Sequence, residues 1–417
     1  MTDEAVQPAP HEMVEDSGGA HQSQWQLIRR RFQRHHLAVA SMYVLCVLYF
    51  IAVFAEVIAP YRPYAPDQAH AYCPPQLPRF SFEHGLHTYA VTLHIDPVTF
   101  RKTYTEDRDD IVPLGFFVKG QAYKFWGLIP WDRHLLGANL EKYTPPARVA
   151  QQASSAPTGP AASDAATQLA AEDVAAAAVA TPAPHPTFYM LGTDQYGSGI
   201  LSRIIYGSRI SLSIGVVAIV VTFVLGLTIG GVSGYVGGAT DNFIQRTIEI
   251  INAFPQLPLW LALGAVMPPD WGPVKAYFGI TIVLSLLGWT GLARVVRGKL
   301  LSLREEDYAV AARLLGASHG RIIFRHLLPG FTSHIIVSLT MAVPGMILGE
   351  TSLSFLGLGL RKPVVSWGVM LRECMNMQSV ANYPWLLLPV VMIVLTVLSF
   401  NFLGDGLRDA ADPYSAR

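Results

Sequence analysis

The sequence predicts an all-α membrane protein of six transmembrane helices, with a small β-containing lobe inserted between helices one and two. Three observations lead there. First, 51% of its 417 residues are hydrophobic and only 14% are charged, against about 25% charge in an average soluble domain; mean hydropathy is +0.33. Second, six stretches carry about 20 mostly apolar residues, the length needed to cross a hydrocarbon layer that offers the backbone no hydrogen-bond partners. Third, Lys and Arg gather on one side of the alternation those stretches impose.

Residues 1–36 read as a cytoplasmic disordered tail and a basic surface segment. The tail is polar and acidic and lacks the basic start of a cleavable signal, so the first apolar stretch acts as an uncleaved anchor. Residues 25–32 mix apolar and basic side chains. They form either a helix lying on the membrane surface or a plain basic flank. Helix one covers 37–59. Residues 60–143 form the outer lobe, in which 89–94 alternates like a strand, as do 116–118 and 122–126 on either side of a turn-like Lys119-Gly120-Gln121. Residues 144–186 are an Ala/Pro-rich linker with too few large apolar side chains for a core; Ala propensity allows a short helix around 165–180. Residues 187–417 hold helices two to six, at 210–235, 247–267 (with Pro255 and Pro258 inside), 277–293, 331–349 and 385–403.

Arg29, Arg30, Arg31 and Arg34 precede helix one and place the N-terminus in the cytoplasm; six crossings return the C-terminus there. The loop between helices four and five also lands inside, with Arg294, Arg297, Lys299, Arg304, Arg313, Arg321 and Arg325. A charge at mid-span costs about 2.5–3.5 kcal/mol, and the six stretches hold almost none. Glu56 and Glu350 fall at the outer ends of helices one and five, within reach of water. Arg246 and Glu249 fall near the inner end of helix three, one turn apart, and pair. This scarcity argues against ion coupling. Gly226, Gly230, Gly231 and Gly234 are either spaced for close helix packing or are small residues facing lipid or a neighbour, and Pro255 and Pro344 can break or bend their helices.

Other chemistry finds no candidate residues. Net charge is zero, which gives no reason for a nucleic-acid partner. Gly298-Lys299 is followed by Leu300, so no phosphate-cradling loop is present, and no metal-protease, serine-hydrolase or Cys/His pattern occurs. The chain has three cysteines; Cys73 and Cys374 are either an extracytoplasmic disulfide or two unrelated thiols.

The loop 302–329 is the most informative stretch. It reads as two short helices. Ser302 and Glu305 have capping-box spacing, and Glu305, Glu306 and Asp307 suit a first turn. Tyr308, Ala311, Ala312 and Leu315 make an apolar face with small residues in its middle. Gly316 stops the helix. Ser318 caps a second helix carrying Ile322, Ile323, Leu327 and Leu328, with Pro329 next. Ala311 and Ala312 allow a partner surface to approach closely; the plainer alternative is a basic loop folded under the bundle.

Ala311-Ala312-x-x-x-Gly316, with His326-x-Leu328-Pro329 after it, resembles the EAA loop of binding-protein-dependent ABC importers, with Val310 where the family has Glu. Residues 191–212, 230–259, 344–371 and 400–413 are similar to the dipeptide/oligopeptide (DppC/OppC) branch, and 116–137 to its longer-looped members. The family positions are Gly192, Thr193, Asp194, Gly197, Arg246, Glu249, Pro255, Gly349 and Glu350; Ser198 and Gly199 stand where the family usually has Arg-Asp. The resemblance implies a type I ABC importer fold in the inner membrane. It implies a homologous second permease subunit, two ABC ATPase subunits that carry ATP and Mg, a periplasmic solute-binding protein, and no cofactor or catalytic residue on this chain. Tyr308, Ala311, Ala312, Arg313, Gly316, Leu328 and Pro329 would then form the loop docked into an ATPase, so that Gly316→Glu or Ala312→Asp spares insertion and abolishes transport. Peptides are the implied solute; nickel, opines and oligosaccharides use similar relatives. A stand-alone secondary transporter, or an anchor for a working outer lobe, are the other readings.

Overall fold

The computed structural model describes residues 24–64, 66–95, 102–143, 187–268 and 270–411. The expected tail before residue 24 and the linker 144–186, with its helix around 165–180, lie outside the described residues. Helix α1 (Gln24–Arg34) precedes α2 (His36–Val53) and a single turn, α3 (Ala55–Ile58). Four strands come after it: β1 (Arg79–Ser81), β2 (Gly85–Ile95), β3 (Lys102–Phe125) and β4 (Ile129–Ala138). Next come α4 (Ile200–Val236), α5 (Gly238–Ala253), α6 (Gln256–Ala265), α7 (Pro273–Leu303), α8 (Asp307–Leu314) and α9 (His319–Arg321). A π-helical turn (Ile322–Leu327) leads from α9 into α10 (Leu328–Phe355); α11 (Trp367–Arg372), α12 (Met377–Asn382) and α13 (Leu388–Ala411) complete the described helices.

Among the described residues, five helical runs are long and apolar enough to cross a membrane: His36–Val53, Ile200–Val236, Pro273–Leu303, His319–Phe355 and Pro384–Ala411. A sixth exists if α5 and α6, bent by 85°, count as one broken span. The third span, expected over 247–267 with a break or bend at Pro255, is broken at that residue. Pro255 has no N–H and forces its predecessor out of helical geometry; Phe254 and Pro255 are extended, and the chain restarts at Gln256. Helix one, expected over 37–59, stops at Val53 and its last residues form the separate turn α3; the other runs outlast their apolar stretches, because a helix continues past the hydrocarbon boundary wherever side chains still pack.

The α4–α7 contact is set by glycine. A Cβ on Gly226, Gly230 or Gly234 would lie 2.8 Å from the Leu292 side chain, 2.5 Å from the Ala293 carbonyl oxygen and 2.8 Å from that of Arg297, whereas one on Gly231 would meet nothing. Three glycines at four-residue spacing thus let the two backbones touch, and the fourth is incidental. Leu45, Leu48, Leu212, Val343, Ile347, Ile393 and Phe400 join α2, α4, α10 and α13 into one core.

The sheet is an antiparallel meander, β1-β2-β3-β4. The expected turn at Lys119-Gly120-Gln121 is instead a bulge within one long strand, since pairing passes from Lys119↔Arg133 to Tyr123↔Trp131. Gly120 is there for room: its Cβ would sit 2.6 Å from the His134 ring. That ring bridges the Gln121 carbonyl (3.0 Å) and the Ala59 carbonyl (2.6 Å), and so fastens the sheet to the end of α3.

Candidate functional site: the α8 hairpin and two buried charge clusters

The α8 hairpin lies at the end of the bundle away from the sheet. α4 starts beside Tyr61 on the sheet side and ends near Arg304, which donates to the Gly234 carbonyl just before α8. The capping box at Ser302 and Glu305 does not form. α7 runs on to Leu303 because Leu300 is buried beneath α8, and the residue that starts α8 is Glu306, in extended conformation and with no side-chain cap.

α8 is pinned by its smallest residues. Ala309 (1% exposed) and Ala312 (8%) face inward against Leu300, Ile322, Leu327 and Phe331. Leu314 (83%) and Leu315 (88%) point outward with Tyr308, Ala311 and Arg313. Ala312 is thus not on the outer surface as expected, and Ala312→Asp would put a charge into a packed cluster and damage folding itself. Gly316 stops the helix as predicted. Its φ is +77°; its N–H donates to the Arg313 carbonyl (3.0 Å) and that of Ala317 to the Ala312 carbonyl (3.1 Å), the paired bonds of a left-handed helix stop.

Ser318 accepts from the Arg321 N–H (3.4 Å), as predicted. The expected separate second helix does not form: α9 passes through the π-helical turn directly into α10. Pro329 follows directly on the π-helical turn, and the helix kinks at Phe331 (φ −127°). Leu328 is half-buried and Pro329 exposed. The result is a hairpin with an apolar outer face of Tyr308, Leu314, Leu315 and Phe324, bordered by exposed Arg313, Arg321 and Arg325.

At the sheet end, the family positions lock a loop. Thr193 accepts from the Cys73 N–H (2.8 Å) and donates to the His70 carbonyl. One oxygen of Asp194 accepts from the N–H groups of Tyr196 and Ser198, at 2.8 Å each. Gly192 (φ +75°) and Gly197 (φ +77°) have no room for a side chain: a Cβ on Gly197 would overlap the Asp67 carbonyl oxygen. The other oxygen of Asp194 binds Arg203, which is fully buried and holds Glu373 through two 3.0 Å bonds. Lys362 lies 2.8 Å from the same carboxylate. Burial alone would push the Glu373 carboxyl up, but Arg203 and Lys362 outweigh it and hold it below the usual carboxylate range. Sequence reasoning missed Arg203, Glu373 and Lys362; the available signal was an arginine set in the otherwise apolar start of a spanning helix.

Glu350 is not within reach of water as expected. It is fully buried, and its oxygens accept from Ser366 (2.7 Å), Ser354 (2.9 Å) and Ser211 (3.4 Å). Ser366 also caps α11, and Ser211 accepts from the Trp367 N–H, so one carboxylate ties α4, α10 and α11 together. Gly349 lets α10 approach α6 and α7: its Cβ would lie 2.7 Å from Leu284 and 2.9 Å from Trp260. Glu56 is buried too, but its partner Arg209, bound by two 2.6 Å contacts, is one-third exposed. Arg246 and Glu249 pair at 2.7 Å on an open surface, as predicted. Pro255 starts α6. Cys73 and Cys374 are free thiols.

A family model described as "Binding-protein-dependent transport system inner membrane component" matches residues 223–414. Another, the "N-terminal TM domain of oligopeptide transport permease C", matches residues 23–75. Most of the sheet-bearing segment lies between the two. The chain is 40% identical over 232 residues to the dipeptide transport system permease protein DppC of Bacillus subtilis (strain 168), covering 55% of this chain and 70% of that protein. It is 38% identical over 252 residues to the oligopeptide transport system permease protein OppC of Escherichia coli (strain K12), covering 59% and 79%. Among solved structures, an inward-facing crystal form of the MetNI methionine ABC transporter is 19% identical, with a TM-score of 0.39, over 50% of this chain and 95% of that chain.

Proposed function

We infer that this chain, which belongs to the family of binding-protein-dependent transport system inner-membrane components, is the permease subunit of an ATP-driven peptide importer of the type I fold. It works with a homologous second permease subunit, two cytoplasmic ATPase subunits that hold ATP and Mg, and a periplasmic solute-binding protein. Both termini are cytoplasmic. The chain itself performs no covalent chemistry; its role is to turn movement of the ATPases into opening and closing of a path.

The observation that carries this reading is the outward face of α8. Tyr308, Leu314 and Leu315 are left uncovered on a helix outside every candidate span, while Ala309 and Ala312 fix that helix to the bundle. A surface of this kind marks a docking site. Force applied to α8 reaches Leu300 of α7 and Ile335 of α10 through one packed cluster. The break at Pro255 and the kink at Phe331 are the joints at which spanning segments can tilt. Peptides are the proposed solute because the relatives are named for dipeptide and oligopeptide transport.

The test is uptake by vesicles containing the full chain and the subunits that co-purify with it, with the binding protein supplied outside. Labelled di- to pentapeptides accumulate only with ATP, and dissipating proton and sodium gradients leaves uptake unchanged. Accumulation driven by an ion gradient without nucleotide overturns the importer reading; ATP-driven uptake of nickel or oligosaccharide but no peptide overturns the solute class alone.

A further inference from the structure

The tip of the β3–β4 hairpin is more apolar than a turn facing water requires. Trp126, Leu128, Ile129 and Trp131 are all exposed, Leu128 at 80%. The turn is tight: Gly127 N–H donates to the Lys124 carbonyl and Leu128 N–H to the Phe125 carbonyl, both at 3.0 Å. Trp126 (φ 50°) and Gly127 (φ 73°) both lie in the left-handed region. That region disfavours a side chain by about 1–2 kcal/mol, and glycine or asparagine would sit there more easily than tryptophan.

Two contacts fix the height of the tip. The Trp126 indole Nε1–H donates to the carbonyl of Val53, the last residue of α2, at 3.0 Å. The Phe125 ring stacks on Phe54 at 6.0 Å. The tip is therefore held where the α2 span ends. The side of α2 turned away from the bundle is apolar and exposed through Tyr43, Val47, Phe50 and Phe54, and it runs without a break into the tip. Beneath the tip lies a groove of about 560 Å³, walled by Tyr49, Ala52, Val53, Leu212 and Val216 and roofed by Trp126. Its one charged pair, Glu56 with Arg209, is already mutually satisfied.

We propose that the β3–β4 tip is an interfacial lipid anchor: Trp126, Leu128, Ile129 and Trp131 enter the headgroup boundary beside α2, and a phospholipid acyl chain occupies the groove under Trp126. Aromatic side chains favour that boundary because their rings are apolar and their N–H groups remain hydrated or bonded. A lipid chain fits the groove better than a protein helix does: two turns of a helix about 10 Å across fill roughly 800 Å³. The groove also continues the exposed apolar side of α2, the kind of surface a spanning helix offers to acyl chains. The anchor keeps the sheet fixed to the membrane at a second point besides His134 on Ala59. It depends on α2 spanning the bilayer and not on the solute or the ATPases, so its failure would leave the transport reading untouched.

The test places photoreactive benzoylphenylalanine at position 128 of the full chain in cell membranes, where a bulky apolar residue is already exposed. After irradiation, mass spectrometry of the chain shows phospholipid adducts. Cross-links to polypeptide alone, or no adduct, overturn the proposal. A second measurement needs no unnatural residue. In nanodiscs whose lipids carry bromine near the top of the acyl chain, the emission difference between the native protein and Trp126→Phe falls at least twofold relative to unbrominated lipid. An unchanged difference overturns the proposal.

Discussion

Arg203→Met is expected to remove most of the folded protein. Arg203 is fully buried between Asp194 and Glu373. Removing one partner from a buried ion cluster leaves carboxylates uncompensated and costs about 3–5 kcal/mol. That is a large share of the 5–15 kcal/mol by which a typical domain is stable. Lys362 reaches Glu373 from the partly exposed side but makes no contact with Asp194, so the loss at Asp194 is complete. The same arithmetic predicts recovery when the charges leave together. In Arg203→Met/Asp194→Asn/Glu373→Gln, the new amide at position 194 keeps the oxygen that accepts from Tyr196 and Ser198, and the only charge left in the cluster is that of Lys362, whose side chain is partly exposed. Fluorescence-detected size exclusion after a heating series measures both variants. The single variant loses monodisperse protein at markedly lower temperature and the triple variant regains much of it; a single variant as stable as the native chain contradicts the account.

Leu315→Glu is expected to leave the fold intact and stop transport. A residue 88% exposed contributes little to the stability of its own chain, and surface changes of this kind stay within about 0.5 kcal/mol. Once covered by a partner, the same position puts a carboxylate into an apolar contact, and an interface hot spot is worth about 2 kcal/mol or more. Uptake should therefore fall by more than about thirtyfold, with an unchanged melting profile. Ala312→Asp, three residues earlier, gives the opposite pattern: a falling melting temperature and little protein in the membrane. Paired uptake and melting measurements on these two variants separate the outer face of α8 from its inner face, and equal behaviour of the two removes the distinction.

That pair also shows what the sequence could and could not convey. Helical spacing identified Tyr308, Ala311, Ala312 and Leu315 as neighbours, and Gly316 as the stop, because periodicity and left-handed backbone are local properties. Which side faces the bundle depends on Leu300, Ile322 and Leu327, which pack beneath it from outside the helix, and here Ala309 and Ala312 went inward while Ala311 stayed outside with Tyr308, Leu314 and Leu315. The same limit explains Glu350. At the end of an apolar run it read as water-accessible; α11 folds over it and brings Ser366, which lies 16 residues further on. Arg203 and Glu373 are 170 residues apart, and no local pattern joins them. At Lys119-Gly120-Gln121, glycine in a strand context signalled a turn, but its purpose was to admit the His134 ring. The broken α5–α6 span was partly legible, since Pro255 and Pro258 were visible, but the 85° angle depends on what α6 packs against. The spans themselves were legible because lipid imposes a length and a composition that no tertiary contact can override.

The central claim is that α8 receives its force from a separate ATP-hydrolysing chain. Benzoylphenylalanine at position 315, in the assembled protein in native membranes, tests this by contact. Irradiation is expected to join this chain to a polypeptide that hydrolyses ATP, with a yield that changes when a non-hydrolysable nucleotide is added. Adducts to lipid, or to this chain's own residues, in place of such a polypeptide would contradict the account.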